Sequence, residues 1–212
     1  MAQGATWGYD RQSIREPLAS FFYQNRITVS KKQHAIERIR QLLALALNYS
    51  VSGSPDYGLV IPQLLTVEKK QAVVFLHATA RDEKLWPVSH WQALAKKVTQ
   101  QNLQVLLPWG NENERLTALA IANNQPNVKV LDAMKLTQLA QLLQSVQAVV
   151  AVDTGLAHLT AALNKSAIVL YGPTDPDKIG TIGKNQTHIK AKNHQLSELS
   201  CNQVWAHLSG LL

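Results

Sequence analysis

The sequence predicts an α/β fold, a parallel sheet with helices on both faces. Three observations predict it. From residue 73 onward, short apolar, β-prone runs alternate with helical patterns, the signature of strand–helix–strand crossovers. Residues 149–176, VVAVDTGLAHLTAALNKSAIVLYGPTDP, compress that alternation into one unit. An apolar run ends on Asp153, Thr154 and Gly155 make a tight turn, and an Ala/Leu-rich helix carries His158 in its first turn. A second apolar run, Ala167 to Tyr171, is closed by Gly172-Pro173-Thr174-Asp175-Pro176. Finally, 212 residues that are 46% apolar and 17% charged suit one large domain or two small ones with a buried core, not a disordered chain.

The elements follow in order. Residues 15–24 (REPLASFFYQ) predict a short amphipathic helix. Ser30 is placed to cap a longer one through about Tyr49, with Ile36, Ile39, Leu43 and Leu47 at helical spacing and Lys31, Lys32, Arg38 and Arg40 among them. Residues 1–50 offer no convincing strand. The turn-rich stretch 50–58 (SVSGSPDYG) reads as a loop. Val73–His77 then predicts a strand, and Ser89 with Gln92 a capping box for a helix to about Gln101. Val105–Pro108 predicts a strand, Glu112–Asn123 a helix, Val128–Leu131 a short strand and Leu136–Val146 a helix. After the 149–176 unit, His188–Lys190 offers a last strand and Ser197–Leu208 a closing helix. Parallel strands joined this way need right-handed crossovers. Ligands of such sheets bind at the carboxyl ends of the strands, near the point where strand order reverses.

Two clusters sit at such strand ends. The turn Asp153-Thr154-Gly155 opens a helix whose free N–H groups and dipole favour an anion. Asp153 and Thr154 can cap that helix, and Gly155 lets a ligand approach the backbone. An ordinary helix cap is the alternative reading, as a structural role is for His158. The second cluster, Ala78 to Lys84 and then Leu85-Trp86-Pro87, follows the strand at 73–77. There the Thr79 hydroxyl and the Lys84 ammonium suit a diphosphate, and a solvated loop is the alternative. Pro108-Trp109-Gly110 ends a third strand. Just beyond it Glu114 can accept from ribose hydroxyls, and Met134 can pack against a base or simply fill the core. Together these point to a phosphorylated ligand, a nucleotide.

Other classes are set aside. There is no GxGxxG, Walker A or GxSxG motif, which argues against a dehydrogenase, a P-loop NTPase and an α/β-hydrolase. The seven histidines (His34, His77, His90, His158, His188, His194 and His207) are scattered and no CxxC occurs, so no metal site is expected. Cys201 is the only cysteine and reads as structural. No apolar run approaches the roughly 18 residues of a membrane span, and the start lacks a signal-peptide block, so a cytoplasmic protein is expected. The net charge of +7 suits solubility, an anionic membrane surface or a phosphorylated substrate. The basic residues are dispersed without a nucleic-acid signature, so no nucleic-acid partner is expected.

The DTGLAH helix start with YGPTDP resembles the nucleotide-sugar site of the family 9 glycosyltransferases, the bacterial enzymes that add heptose to the lipopolysaccharide inner core. FLHATARDEKLWP at 75–87, LPWGNENER at 107–115, YGPTDPDKIGTIGKNQ at 171–186, REPLASFFY at 15–23 and the KKQHAIER helix extend the likeness in order along nearly the whole chain. The resemblance implies a Rossmann-like sheet forming the C-terminal half of a GT-B fold. Residues 51–212 would be the nucleotide-sugar-binding domain, and 1–50 a helical linker left from the interdomain region. It implies an inverting transfer from ADP-L-glycero-β-D-manno-heptose to Kdo2-lipid A, without an obligatory metal, at the cytoplasmic face of the inner membrane. Thr79 and Lys84 would contact the diphosphate, Lys84 stabilising the departing ADP. Asp153, Thr154, Gly155, Leu156 and His158 would surround phosphate and sugar, Glu114 would take the ribose and Met134 would neighbour the adenine. The family's frequent second threonine is Ala80 here, which removes one hydroxyl. The family's acceptor loop and aspartate base have no counterpart in the sequence, so the chain alone is expected to bind donor and transfer little sugar. A sister enzyme adding a later heptose, and a non-catalytic basic binding module, are the alternatives.

Overall fold

The computed structural model describes residues 4–61 and 71–212. In chain order the elements are β1 (Trp7–Tyr9), β2 (Asn25–Ile27), α1 (Ala35–Leu47), β3 (Ala72–Leu76), α2 (Val88–Thr99), β4 (Gln104–Leu107), α3 (Glu112–Ala122), β5 (Val128–Val130), α4 (Leu136–Ser145), β6 (Ala148–Val152), α5 (Gly155–Ala162), β7 (Ala167–Tyr171), α6 (Pro176–Ile179), β8 (Gln186–Lys190) and α7 (Cys201–Leu208). They fall into two compact units, Met1–Ser54 with Asp177–Ile179, and Pro55–Pro176 with Gly180–Leu212.

In the smaller unit, residues 1–50 were expected to hold no strand, yet β1 and β2 pair in parallel, Trp7 opposite Asn25 and Tyr9 opposite Ile27. Three residues are too few for alternation to register in a sequence. Hydrogen bonds beyond the strands hold the pair. Asp10 N–H donates to the Ile27 carbonyl at 2.9 Å, and the Asp10 carboxylate accepts the Ser13 N–H at 2.8 Å and the Thr28 hydroxyl at 2.6 Å. Residues 15–24 form a 3-10 helix over Pro17–Phe22, not an amphipathic α-helix. The Ser20 hydroxyl donates to the Pro17 carbonyl at 2.7 Å, a local bond of the kind that competes with helix. His34 caps α1 in place of Ser30, its Nδ1 accepting the Ile36 N–H, while Ser30 Oγ accepts the Lys32 N–H in a turn before the helix. Asn48 ends the helix at φ 53°, a left-handed position that asparagine tolerates.

In the larger unit β3 to β8 form one fully parallel sheet in the order β5-β4-β3-β6-β7-β8. The strand order reverses between β3 and β6, which pair from Val73–Ala148 to Leu76–Ala151. That boundary is the switch point at which such sheets bind ligands. Val73, Phe75, Val150, Val152, Ile168 and Leu170 face one side, covered by Trp91, Leu94, Ile121, Val204 and Leu208 of α2, α3 and α7. Val74, Leu76, Val149, Ala151, Val169 and Tyr171 face the other, covered by Leu139, Leu143 and Ala157 of α4 and α5. Burial on both faces is why these strands read as unbroken apolar runs. The expected α/β layering is therefore the observed one.

Some element boundaries differ from expectation. Ser89 and Gln92 make no capping box, because α2 starts at Val88 directly after Pro87 and the Gln92 amide donates to the Ala120 carbonyl at 2.8 Å. The last strand begins two residues early, at Gln186. The closing helix is split into a 3-10 turn at Leu196–Glu198 and α7, which has its own capping box between Ser200 and Gln203. Cys201 lies in the first turn of α7, buried, and burial pushes its thiol up, as suits a packing residue.

Candidate functional site

Because β3 and β6 are neighbours, their carboxyl ends bring the two sequence clusters together. The Thr79 hydroxyl donates to the Asp153 carbonyl at 3.3 Å, and Lys84 Nζ reaches Asp153 Oδ2 at 2.6 Å. Both charged side chains are largely buried, 13% exposed for Lys84 and 8% for Asp153. Asp153 thus does not cap α5, because Lys84 engages its carboxylate. Thr154 occupies the cap position in extended backbone, φ −144°, and its side chain makes no capping bond. The α5 start is left with N–H groups that the cap residue's side chain does not satisfy, as an anion site requires.

A cavity of about 720 Å³ opens here. Its lining includes the polar residues His77, Thr79, Asp82, Asn111, Glu114 and Thr154 and the apolar residues Leu76, Pro108, Trp109, Met134, Leu136 and Leu139. Of the nine residues singled out in the sequence, Thr79, Glu114, Met134, Thr154 and Leu156 line it. Lys84, Asp153, Gly155 and His158 are not among the lining residues. Lys84 and Asp153 hold each other, and His158, half-buried on α5, is engaged within the protein. Gly155 adjoins open space, since a Cβ there would meet nothing within 4 Å.

The wall bearing Glu114 is held by local bonds. Asn111 caps α3, its Oδ1 accepting the Glu114 N–H at 3.0 Å. The Glu114 carboxylate accepts the Gly110 N–H at 2.7 Å and the Asn111 amide at 2.8 Å. The Trp109 indole donates to the Leu131 carbonyl at 2.6 Å, which ties the β4 and β5 ends together. Two contributors escaped the sequence reading. His77 stood as one scattered histidine among seven, although it directly precedes the Ala78-Thr79 cluster at a strand end. Asn111, directly before the helix predicted from Glu112, carries a cap signal that could have found it. Among the described residues no group of three or more His, Cys, Asp or Glu is arranged to hold a metal ion.

The profile of glycosyltransferase family 9 (heptosyltransferase) matches residues 1–207. The chain belongs to glycosyltransferase family 9. It is 43% identical over 207 residues to lipopolysaccharide heptosyltransferase 1 of Escherichia coli O18:K1:H7, a match covering 96% of this chain and 64% of that protein. It is 44% identical over 184 residues to lipopolysaccharide heptosyltransferase 1 of Pseudomonas aeruginosa, covering 86% of this chain and 52% of that one. The solved structure of E. coli heptosyltransferase WaaC with ADP matches with a TM-score of 0.89 at 41% identity, over 97% of this chain and 65% of that chain. The chain thus spans about two thirds of the length of these E. coli relatives. The motif resemblance to the heptosyltransferases of this family is borne out, and with it the expected α/β fold.

Proposed function

We propose that this chain binds the nucleotide end of ADP-L-glycero-β-D-manno-heptose and that the activity it serves is heptose transfer to Kdo2-lipid A. One observation carries the reading: a cavity lined by both polar and apolar residues at the switch point of a parallel sheet, in a chain 41% identical to a heptosyltransferase solved with ADP. Adenine suits the apolar lining residues Met134 and Leu136. The Glu114 carboxylate has two of its acceptor positions occupied by Gly110 and Asn111, which leaves others for ribose hydroxyls. Thr79, Lys84 and the α5 start at Thr154, Gly155 and Leu156 take the diphosphate, with Asp153 and His158 toward the sugar.

In the transfer, an acceptor hydroxyl gives its proton to a general base as its oxygen attacks the anomeric carbon, the bond to the β-phosphate oxygen breaks, and ADP leaves with inversion. Charge grows on the departing diphosphate, so Lys84 and the α5 N–H groups bind the transition state more strongly than the ground state. None of the residues named here takes the acceptor's proton. They account for donor binding and leaving-group stabilisation, and no metal is required for either. Among the described residues no helix is long and apolar enough to cross a membrane. The proposed site of reaction is the cytoplasmic face of the inner membrane, where a net charge of +7 favours an anionic lipid surface.

Calorimetric titration with ADP and AMP tests the reading. One saturable site is expected, with ADP bound about tenfold more tightly than AMP because the second phosphate meets Lys84. No binding at millimolar ADP would overturn it.

A further inference from the structure

We propose that His77 is a positioning residue for ribose recognition: its imidazole pins the first turn of α3 to the carboxyl end of β3, so that the Glu114 carboxylate meets the ribose hydroxyls. This rests on the reading that Glu114 takes the ribose. His77 is the residue after β3, 1% exposed, and it lines the cavity. Its Nε2 lies 3.2 Å from the Glu114 carbonyl oxygen. A carbonyl carries no proton, so Nε2–H is the donor. Its Nδ1 lies 3.5 Å from the Phe75 carbonyl, the outer limit of a hydrogen bond. Burial holds the imidazole below the ordinary histidine range, so it is neutral with one N–H to give.

Glu114 is thereby gripped at three points. Its N–H is held by Asn111, its carboxylate by Gly110 and Asn111, and its carbonyl by His77. A helical carbonyl has two lone pairs and the helix ladder uses one, so His77 bonds here without breaking α3. The Asn111 and Gly110 bonds are local and fix the carboxylate relative to its own turn. The His77 bond crosses between elements and sets that turn relative to Thr79, two residues further along the chain. It therefore fixes the spacing between the ribose contact and the diphosphate contact. An apolar side chain of similar bulk would fill the space, but it would leave the α3 start to drift.

The test titrates wild type, His77→Phe and His77→Gln with ADP and with 2′,3′-dideoxy-ADP. Wild type is expected to prefer ADP. His77→Phe is expected to lose about tenfold in ADP affinity while keeping dideoxy-ADP affinity within about twofold. His77→Gln, whose amide places a donor at a similar reach, is expected to restore the preference for ADP. If phenylalanine overfills the site and the variant does not fold, His77→Leu takes its place in the same comparison. Parallel loss of both ligands, or no loss of either, would overturn the role of His77. Wild type that binds ADP and dideoxy-ADP equally would overturn it together with the ribose role of Glu114, leaving the diphosphate site standing. Wild type that binds neither would overturn the donor reading itself.

Discussion

Lys84 Nζ lies 2.6 Å from Asp153 Oδ2, an ion pair that spans the carboxyl ends of β3 and β6 where the strand order reverses. The two residues are 69 positions apart in sequence, and only the parallel pairing of β3 with β6 brings them together. A largely buried lysine aimed at a strand-end carboxylate is a cation held in place before any phosphate arrives. In the proposed reading, such preorganisation lowers the cost of binding a diphosphate.

Replacing Lys84 with methionine keeps the stem and removes the charge. The Asp153 carboxylate is then left without its cation, so the variant should lose about 2 kcal/mol of stability, less than the loss for a fully buried pair. Denaturant unfolding measures that loss. The same variant should bind ADP and AMP with nearly equal affinity. An undiminished preference for ADP would remove Lys84 from the diphosphate site.

Gly155→Ala separates ligand approach from folding. The added methyl meets nothing within 4 Å, so the midpoint of thermal unfolding should hold or rise slightly, by an amount worth less than about 1 kcal/mol. ADP affinity should fall about tenfold or more, because the methyl stands between a phosphate and the α5 N–H groups. Unchanged ADP binding would mean that no phosphate sits on this turn.

Ala80→Thr runs in the opposite direction. Ala80 is exposed on the cavity wall beside Thr79, where the family resemblance puts a second threonine. The restored hydroxyl should tighten ADP binding about fivefold in calorimetry, the size of one added hydrogen bond. Equal or weaker binding would count against a phosphate at this wall.

Asp10 gives a prediction for the smaller unit. Hydrogen bonds from Ser13 and Thr28 hold its carboxyl down to about 2. A carboxyl depressed in the folded state adds stability above its unfolded value of about 3.9, and that stability is lost as pH falls through the folded value. Wild type should therefore lose stability between about pH 4 and pH 2, and Asp10→Asn should flatten the loss over that window. Thermal unfolding followed against pH measures both, and identical slopes in the two proteins would contradict the assignment.

How much of this was legible in the sequence follows from how each feature is encoded. β3, β6 and β7 are buried on both faces, so Val73–Phe75, Val149–Val152 and Ala167–Tyr171 announce themselves as apolar runs. β1 and β2 are three residues each, and their pairing depends on bonds from Asp10, Ser13 and Thr28 that no local pattern carries. The place of Thr79, Glu114, Met134, Thr154 and Leu156 in the cavity lining was readable because strand ends and helix starts mark the binding edge of a parallel sheet. The partner of Asp153 was not readable. Its local context favoured a helix cap, and the carboxylate went to Lys84 because a non-local charge at 2.6 Å outweighs a neutral capping bond. His77 stayed hidden because its partner is a backbone carbonyl 37 residues away, and a carbonyl leaves no trace in the sequence.

ADP is proposed to occupy the edge of the sheet between β3 and β6. The most direct measurement is the amide spectrum of this 23.5 kDa chain, recorded by nuclear magnetic resonance as ADP is added. Saturable shifts concentrated at residues 77–84, 110–117 and 153–158 are expected. Shifts centred elsewhere, or none at millimolar ADP, would contradict it.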